Sequence, residues 1–162
     1  MNIENNTHEY RARFNNIQTL MLGEQIDAIL LTTKVDIHYF SGLISQFWES
    51  PTRPLYLILP AIGNSPIAII PTIFNESMKL TWVKEIHTWS APCKEDDGIS
   101  LLINKLKIYK KIGMPMGIES QLRMPLSHIL LIMEKLNNSY YIKFVDSSQL
   151  INDIRFVKSP SE

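Results

Sequence analysis

Leu55-Tyr56-Leu57-Ile58-Leu59, closed by Pro60, and Ile67-Ala68-Ile69-Ile70, closed by Pro71, are two short apolar runs. Gly63-Asn64-Ser65-Pro66 lies between them and supplies a turn. A strand pair with prolines only at its ends is the clearest hairpin in the chain. It implies antiparallel pairing in the middle of the fold. Upstream, Ile26 to Thr32 is nearly all apolar, the pattern of a strand buried on both faces. Downstream, Glu85 to Trp89, Met116 to Glu119 and Tyr141 to Val145 read as further strands.

Helical patterns fill the intervals. The first runs from Thr7 to Leu22, where Tyr10, Phe14, Ile17 and Met21 recur at three- and four-residue steps. Asn6 and Glu9 have capping-box spacing before it, and Gly23 sits where a left-handed cap would end it. Val35 to Phe40 forms a helical turn broken by Ser41-Gly42. A short helix spans Phe74 to Leu80. Asp96-Asp97-Gly98 opens another, with Ile99, Leu102, Ile103 and Leu106 on one side and two acids at its positive end. Pro125 starts the next, carrying Leu126, Ile129, Leu130 and Met133. Asp146-Ser147-Ser148-Gln149 begins the last, with Leu150, Ile151, Ile154 and Val157 inward. Helices and strands thus alternate around one hairpin, which predicts an α/β domain: a mixed sheet flanked by helices.

The chain has 162 residues, of which 45% are hydrophobic and 20% charged, enough to bury a core in one domain. Sixteen basic residues balance sixteen acidic ones. Neither a basic excess nor a basic stripe marks a nucleic-acid partner. The longest apolar runs are strand-sized, well short of the roughly 20 residues that cross a bilayer. The N-terminus is polar and lacks a signal-peptide pattern, so a cytoplasmic location without membrane attachment is expected. Cys93 is the single cysteine, which removes internal disulfides and multi-cysteine zinc sites.

Most chemical signatures are missing. The six glycines are scattered and form no phosphate-cradling turn. His8, His38, His87 and His128 lack metal-ligand spacing. Cys93 has no sequence feature that would lower its thiol pKa, so it reads as an incidental thiol. Glu95-Asp96-Asp97 is explained by its place at a helix start. One loop differs. Gln46-Phe47-Trp48-Glu49-Ser50-Pro51-Thr52-Arg53-Pro54 combines stiffening prolines, aromatic area and an arginine able to fork onto a carboxylate. It suits a binding rim, or alternatively a lid over the core in which Glu49 and Arg53 pair. Trp82 and Trp89 either extend that surface or pack inside. At the other end, Ser159-Pro160-Ser161-Glu162 has the cap, first-turn proline and acid of a helix start. The sequence stops there, so the chain is expected to be the front of something longer.

Several stretches together resemble the N-terminal domain of the creatinase, prolidase and aminopeptidase P family. They are Phe14, the Gly23-Glu24-Gln25-Ile26-Asp27-Ala28 turn into Ile29-Leu30-Leu31, Asp36-Ile37-His38-Tyr39-Phe40-Ser41-Gly42, and Arg155-Phe156-Val157-Lys158-Ser159-Pro160-Ser161-Glu162. Asp36 stands where the family's motif has asparagine. The resemblance implies a ribonuclease-H-like mixed-sheet domain over residues 1–158 and the start of a linker helix at 159–162. It implies further a metal-dependent hydrolase similar to Xaa-Pro dipeptidases and aminopeptidases. Its divalent metal pair (manganese, cobalt or zinc) would be held by Asp, His and Glu side chains of a following catalytic domain, with no cofactor in this part. The partners implied are that catalytic domain and a second copy in a homodimer. Trp48 walling a substrate pocket, Arg53 meeting a carboxylate and Glu49 orienting one of them are the site residues expected here; no catalytic or metal-ligating residue is. Alternatives are the N-terminal domain of a creatinase-like small-molecule hydrolase or lyase, and a stand-alone protein-binding module without enzymatic activity.

Overall fold

The computed structural model describes residues 3–45, 54–93 and 96–158. A central sheet has six strands in the order β4-β3-β2-β1-β5-β6. They are β1 (Ala28–Leu31), β2 (Tyr56–Pro60), β3 (Ile67–Pro71), β4 (Glu85–Trp89), β5 (Lys111–Met114) and β6 (Lys143–Asp146). β2 runs antiparallel to both neighbours, with Leu31 opposite Leu57 and Ile58 opposite Ile67. The other pairings, β1 with β5, β3 with β4 and β5 with β6, are parallel. The expected hairpin and the mixed α/β sheet are therefore present.

Side chains alternate across this sheet, and each face buries its own cluster. On one face Ile29, Leu31, Leu57, Leu59, Ala68 and Ile70 pack with Phe14, Ile17 and Met21 of α1 (Ile3–Gly23). α2 (Lys34–Ser41), α3 (Asn75–Lys79) and α6 (Ser148–Phe156) contribute to the same layer through Ile37, Phe40, Met78 and Ile151. On the other face Leu30, Tyr56, Ile58, Ile67 and Ile69 meet Ile99, Leu102 and Leu106 of α4 (Ile99–Leu106). Ile132 and Leu136 of α5 (Leu126–Tyr140) complete it. β1 is fully buried along its length, as its continuous apolar run requires.

Three local expectations are corrected. Met116 to Glu119 is not a strand: β5 lies earlier, at Lys111–Met114, and Pro115 follows its last residue. The later stretch is a turn in which Glu119 has φ 61° and Ile118 is 93% exposed. Polar Lys111 and Gly113 hide the real strand from a search for apolar runs. Second, α1 begins at Ile3, so Asn6 and Glu9 lie inside the helix and do not cap it. Glu9 instead pairs with Arg13 one turn on. Third, Gly23 is the last helical residue, and the left-handed position is Gln25, with φ 55°. Gln25 N–H donates to the Leu22 carbonyl at 3.2 Å and Ile26 N–H to the Met21 carbonyl at 2.9 Å. These are the two bonds of a Schellman ending, and Ile26 and Met21 share the core beneath it. Here the reverse turn is specified by that apolar pair rather than by glycine.

Asp27 explains why a turn of this kind leads into β1. Its Oδ2 accepts from the backbone N–H groups of Lys110 and Lys111 at 2.7 and 2.8 Å. Its own N–H donates to the Lys111 carbonyl, and its carbonyl accepts from Ala61. One residue thereby fixes the starts of β1 and β5 and the end of β2.

Candidate functional site

Strand directions bring the polar features to one edge. β1, β3, β4, β5 and β6 all point the same way, so their carboxyl ends share an edge, where β2 begins. In open α/β sheets ligands gather outside this edge. The chain leaves α2 through Gly42, passes residues 46–53 and returns through Pro54 and Leu55 at the same edge. Trp48, Glu49 and Arg53 lie outside the described residues.

The base of that loop is firmly built. Thr33 caps α2: its Oγ1 accepts from Asp36 N–H at 3.2 Å and donates to Asp36 Oδ2 at 2.6 Å. At the other end Gly42 has φ 77° and donates its N–H to the His38 carbonyl. A Cβ there would stand 2.5 Å from the Tyr10 ring, so glycine is required by conformation and space together. His38 Nδ1 meets the Leu43 carbonyl at 2.9 Å. Trp82 donates its indole N–H to the Phe40 carbonyl at 2.9 Å. Pro54 and Leu55 are buried. Both Trp82 and Trp89 are internal, at 3% and 8% exposure, so they pack inside and do not extend a surface.

Across the edge, three further links hold the neighbouring loops. Thr32 Oγ1 accepts from Arg123 N–H at 2.8 Å. Tyr56 donates its hydroxyl to the Asp97 carbonyl at 3.1 Å, and burial, with Asp97 and Asp96 adding to it, pushes its pKa up. Asp96 Oδ1 accepts from Ser100 N–H at 2.7 Å, so Asp96 serves the helix start, while Glu95 lies outside the described residues. Next to β5 and β6, Ser120 donates to Ser148 Oγ at 2.7 Å and Ser148 donates to Asp146 Oδ1 at 2.5 Å. Asp146 also accepts from the N–H groups of Met116 and Ser148, each at 2.9 Å. Burial pushes this carboxyl up, but the hydrogen bonds from Ser148 and the amides of Met116 and Gly117 outweigh it and hold it below the ordinary aspartate range. Sequence reasoning saw Asp146-Ser147-Ser148 only as a helix start. The Asp-x-Ser spacing was the available signal for this turn.

The last helix is tied to the loop base as well. Arg155 Nη1 lies 3.3 Å from Asp36 Oδ1, and the Asp36 side chain is only 8% exposed. Tyr39 donates its hydroxyl to the Ile154 carbonyl at 3.1 Å. Arg13 stacks 4.1 Å over the Tyr39 ring and donates to the Tyr39 carbonyl at 3.0 Å. α1, α2 and α6 are therefore clasped beside the edge.

Chemically, this edge can bind and position. Among the described residues no group of three or more His, Cys, Asp or Glu side chains is placed to hold a metal ion. The donor set for a metal pair is not met here, and no step is assigned to one. His87 Nε2 is engaged by Glu85 at 2.9 Å, and hydrogen bonds from Lys105 and His87 hold that carboxyl below its ordinary value. No helix among the described residues is long and apolar enough to cross a membrane.

A mixed sheet with one antiparallel strand inserted between parallel ones, and helices on both faces, is the architecture seen in the N-terminal domains of prolidases. The prolidase from Thermococcus sibiricus superposes with a TM-score of 0.72 at 19% identity, covering 94% of this chain and 38% of that one. The prolidase from Pyrococcus horikoshii gives 0.65 at 21% identity, over 93% and 37% of the two chains. The isolated N-terminal domain of the cytoplasmic peptidase PepQ from Mycobacterium tuberculosis gives 0.65 at 13% identity, over 90% and 99%. The present chain thus spans little more than a third of the full-length prolidases it matches. No curated protein sequence matches it. The sequence pattern of the creatinase/prolidase N-terminal domain matches residues 13–157, and the chain belongs to that family.

Proposed function

We propose that the chain is the non-catalytic, pocket-shaping N-terminal domain of a metal-dependent hydrolase that acts on Xaa-Pro peptides and works as a cytoplasmic homodimer. The observation that carries this is the family match over residues 13–157, nearly the whole chain. The division at residue 158, with catalysis and the metal pair in a domain that follows, belongs to the same proposal. In it, the clasped helices and the hydrogen-bonded loop base hold residues 46–53 at the carboxyl edge. Trp48 walls the substrate pocket, Arg53 meets a substrate carboxylate and Glu49 orients one of them. The chain contributes no proton transfer; it excludes water and fixes the substrate's orientation.

The test is hydrolysis of Xaa-Pro dipeptides, with manganese or cobalt added, by the longest product of the reading frame. That product is expected to be active and the 162-residue chain inactive. In the active product Arg53→Ala is expected to raise KM about 10- to 100-fold, the worth of one lost charge-assisted bond, with kcat little changed. Hydrolysis by the 162-residue chain alone would overturn the non-catalytic assignment, and an unchanged KM would remove Arg53 from the pocket.

A further inference from the structure

A second polar feature lies on the same edge but is formed entirely by described residues. Between the start of α2, the 115–121 turn and α6 is a cleft of about 210 Å³, lined among others by Asp36, Glu119, Gln121, Asn152 and Arg155. Asp36 is buried, while Arg155 is more than a third exposed and touches it through one nitrogen at 3.3 Å. The other donors of that guanidinium fork make no hydrogen bond among the described residues, and neither do the amides of Gln121 and Asn152. Ser120 and Ser148 are different: their hydroxyl protons are already committed toward Asp146.

We propose that this cleft binds a small zwitterion, a free α-amino acid, with its carboxylate on the open side of Arg155 and its ammonium toward Asp36 and Glu119. Size and charge select this class. At roughly 30 Å³ per water the cleft holds about seven waters, enough for one small amino acid and below the roughly 300 Å³ at which drug-sized sites begin. A phosphate or other polyanion would meet Arg155 but bring several negative charges against two carboxylates, more than one guanidinium offsets. A simple cation would face Arg155. A zwitterion meets both signs at once, and the side-chain amides of Gln121 and Asn152 offer its carboxylate and ammonium a further donor and acceptor. Val35, Pro115 and Ile151 add an apolar wall that favours a short aliphatic side chain.

Calorimetric titration of the 162-residue chain with L-alanine, L-valine and L-proline tests this, with acetate and methylammonium as half-ligands. Saturable one-site binding of at least one amino acid is expected. Each half-ligand should bind at least about ten-fold more weakly, since each forgoes one charge-assisted contact. Arg155→Gln and Asn152→Ala should each weaken binding about five-fold or more, and the second leaves the Asp36 contact intact should the first unfold the chain. Absence of saturable binding, equal binding of acetate, or unchanged affinity in Asn152→Ala or in a folded Arg155→Gln would overturn the proposal.

Discussion

Trp82→Ala is expected to destabilise the chain by about 3–5 kcal/mol, the usual cost of emptying a large aromatic site in a packed core. Trp82 is 3% exposed and sets its ring edge-on against Phe14, with centroids 5.5 Å apart and planes at 63°. Its indole N–H also donates to the Phe40 carbonyl, close to the end of α2. The substitution therefore removes core volume and leaves a buried acceptor without its partner. Trp82→Phe keeps most of the ring contact and loses only the donor, so about 1–2 kcal/mol is expected. Urea unfolding of both variants measures the difference. Equal losses would mean that the hydrogen bond, not the packing, carries the site.

Asp27→Ala is expected to cost about 2–3 kcal/mol, because two backbone N–H groups lose a charged acceptor at once. Those groups, from Lys110 and Lys111, lie 2.7 and 2.8 Å from one carboxylate oxygen. Asp27→Asn retains an oxygen in place of the carboxylate and should cost about 1 kcal/mol. Hydrogen exchange at Lys110 and Lys111 gives a local readout: protection is expected to fall at these amides first. A loss of stability that leaves their exchange unchanged would show that Asp27 acts elsewhere.

Much of the sheet was legible: the interior strands β2 and β3 through uninterrupted apolar residues, and the edge strand β4 although its sequence is mostly polar. Leu55 to Leu59, Ile67 to Ile70 and Glu85 to Trp89 lie within a residue of their observed positions. β5 was not legible, because a lysine and a glycine interrupt a four-residue strand in which only Ile112 and Met114 carry apolar side chains into the core. The end of α1 misled because the helix closes through the Met21–Ile26 pair, and a nearby glycine drew attention away from Gln25. The expected site residues Trp48, Glu49 and Arg53 fall outside the described residues. The Asp36–Arg155 pair was hidden for another reason: the two stand 119 positions apart, and no local pattern announces that they meet. The resemblance had marked both positions, yet only the fold shows that one carboxylate holds the loop base and the last helix together.

The most direct measurement of the central claim is the nucleotide sequence that follows the codon for Glu162. For the front domain of a metal-dependent hydrolase it continues in frame into a larger domain bearing two spaced Asp, one His and two Glu as candidate metal ligands. A stop codon immediately after Glu162 would contradict the claim that this chain serves such an enzyme in one polypeptide.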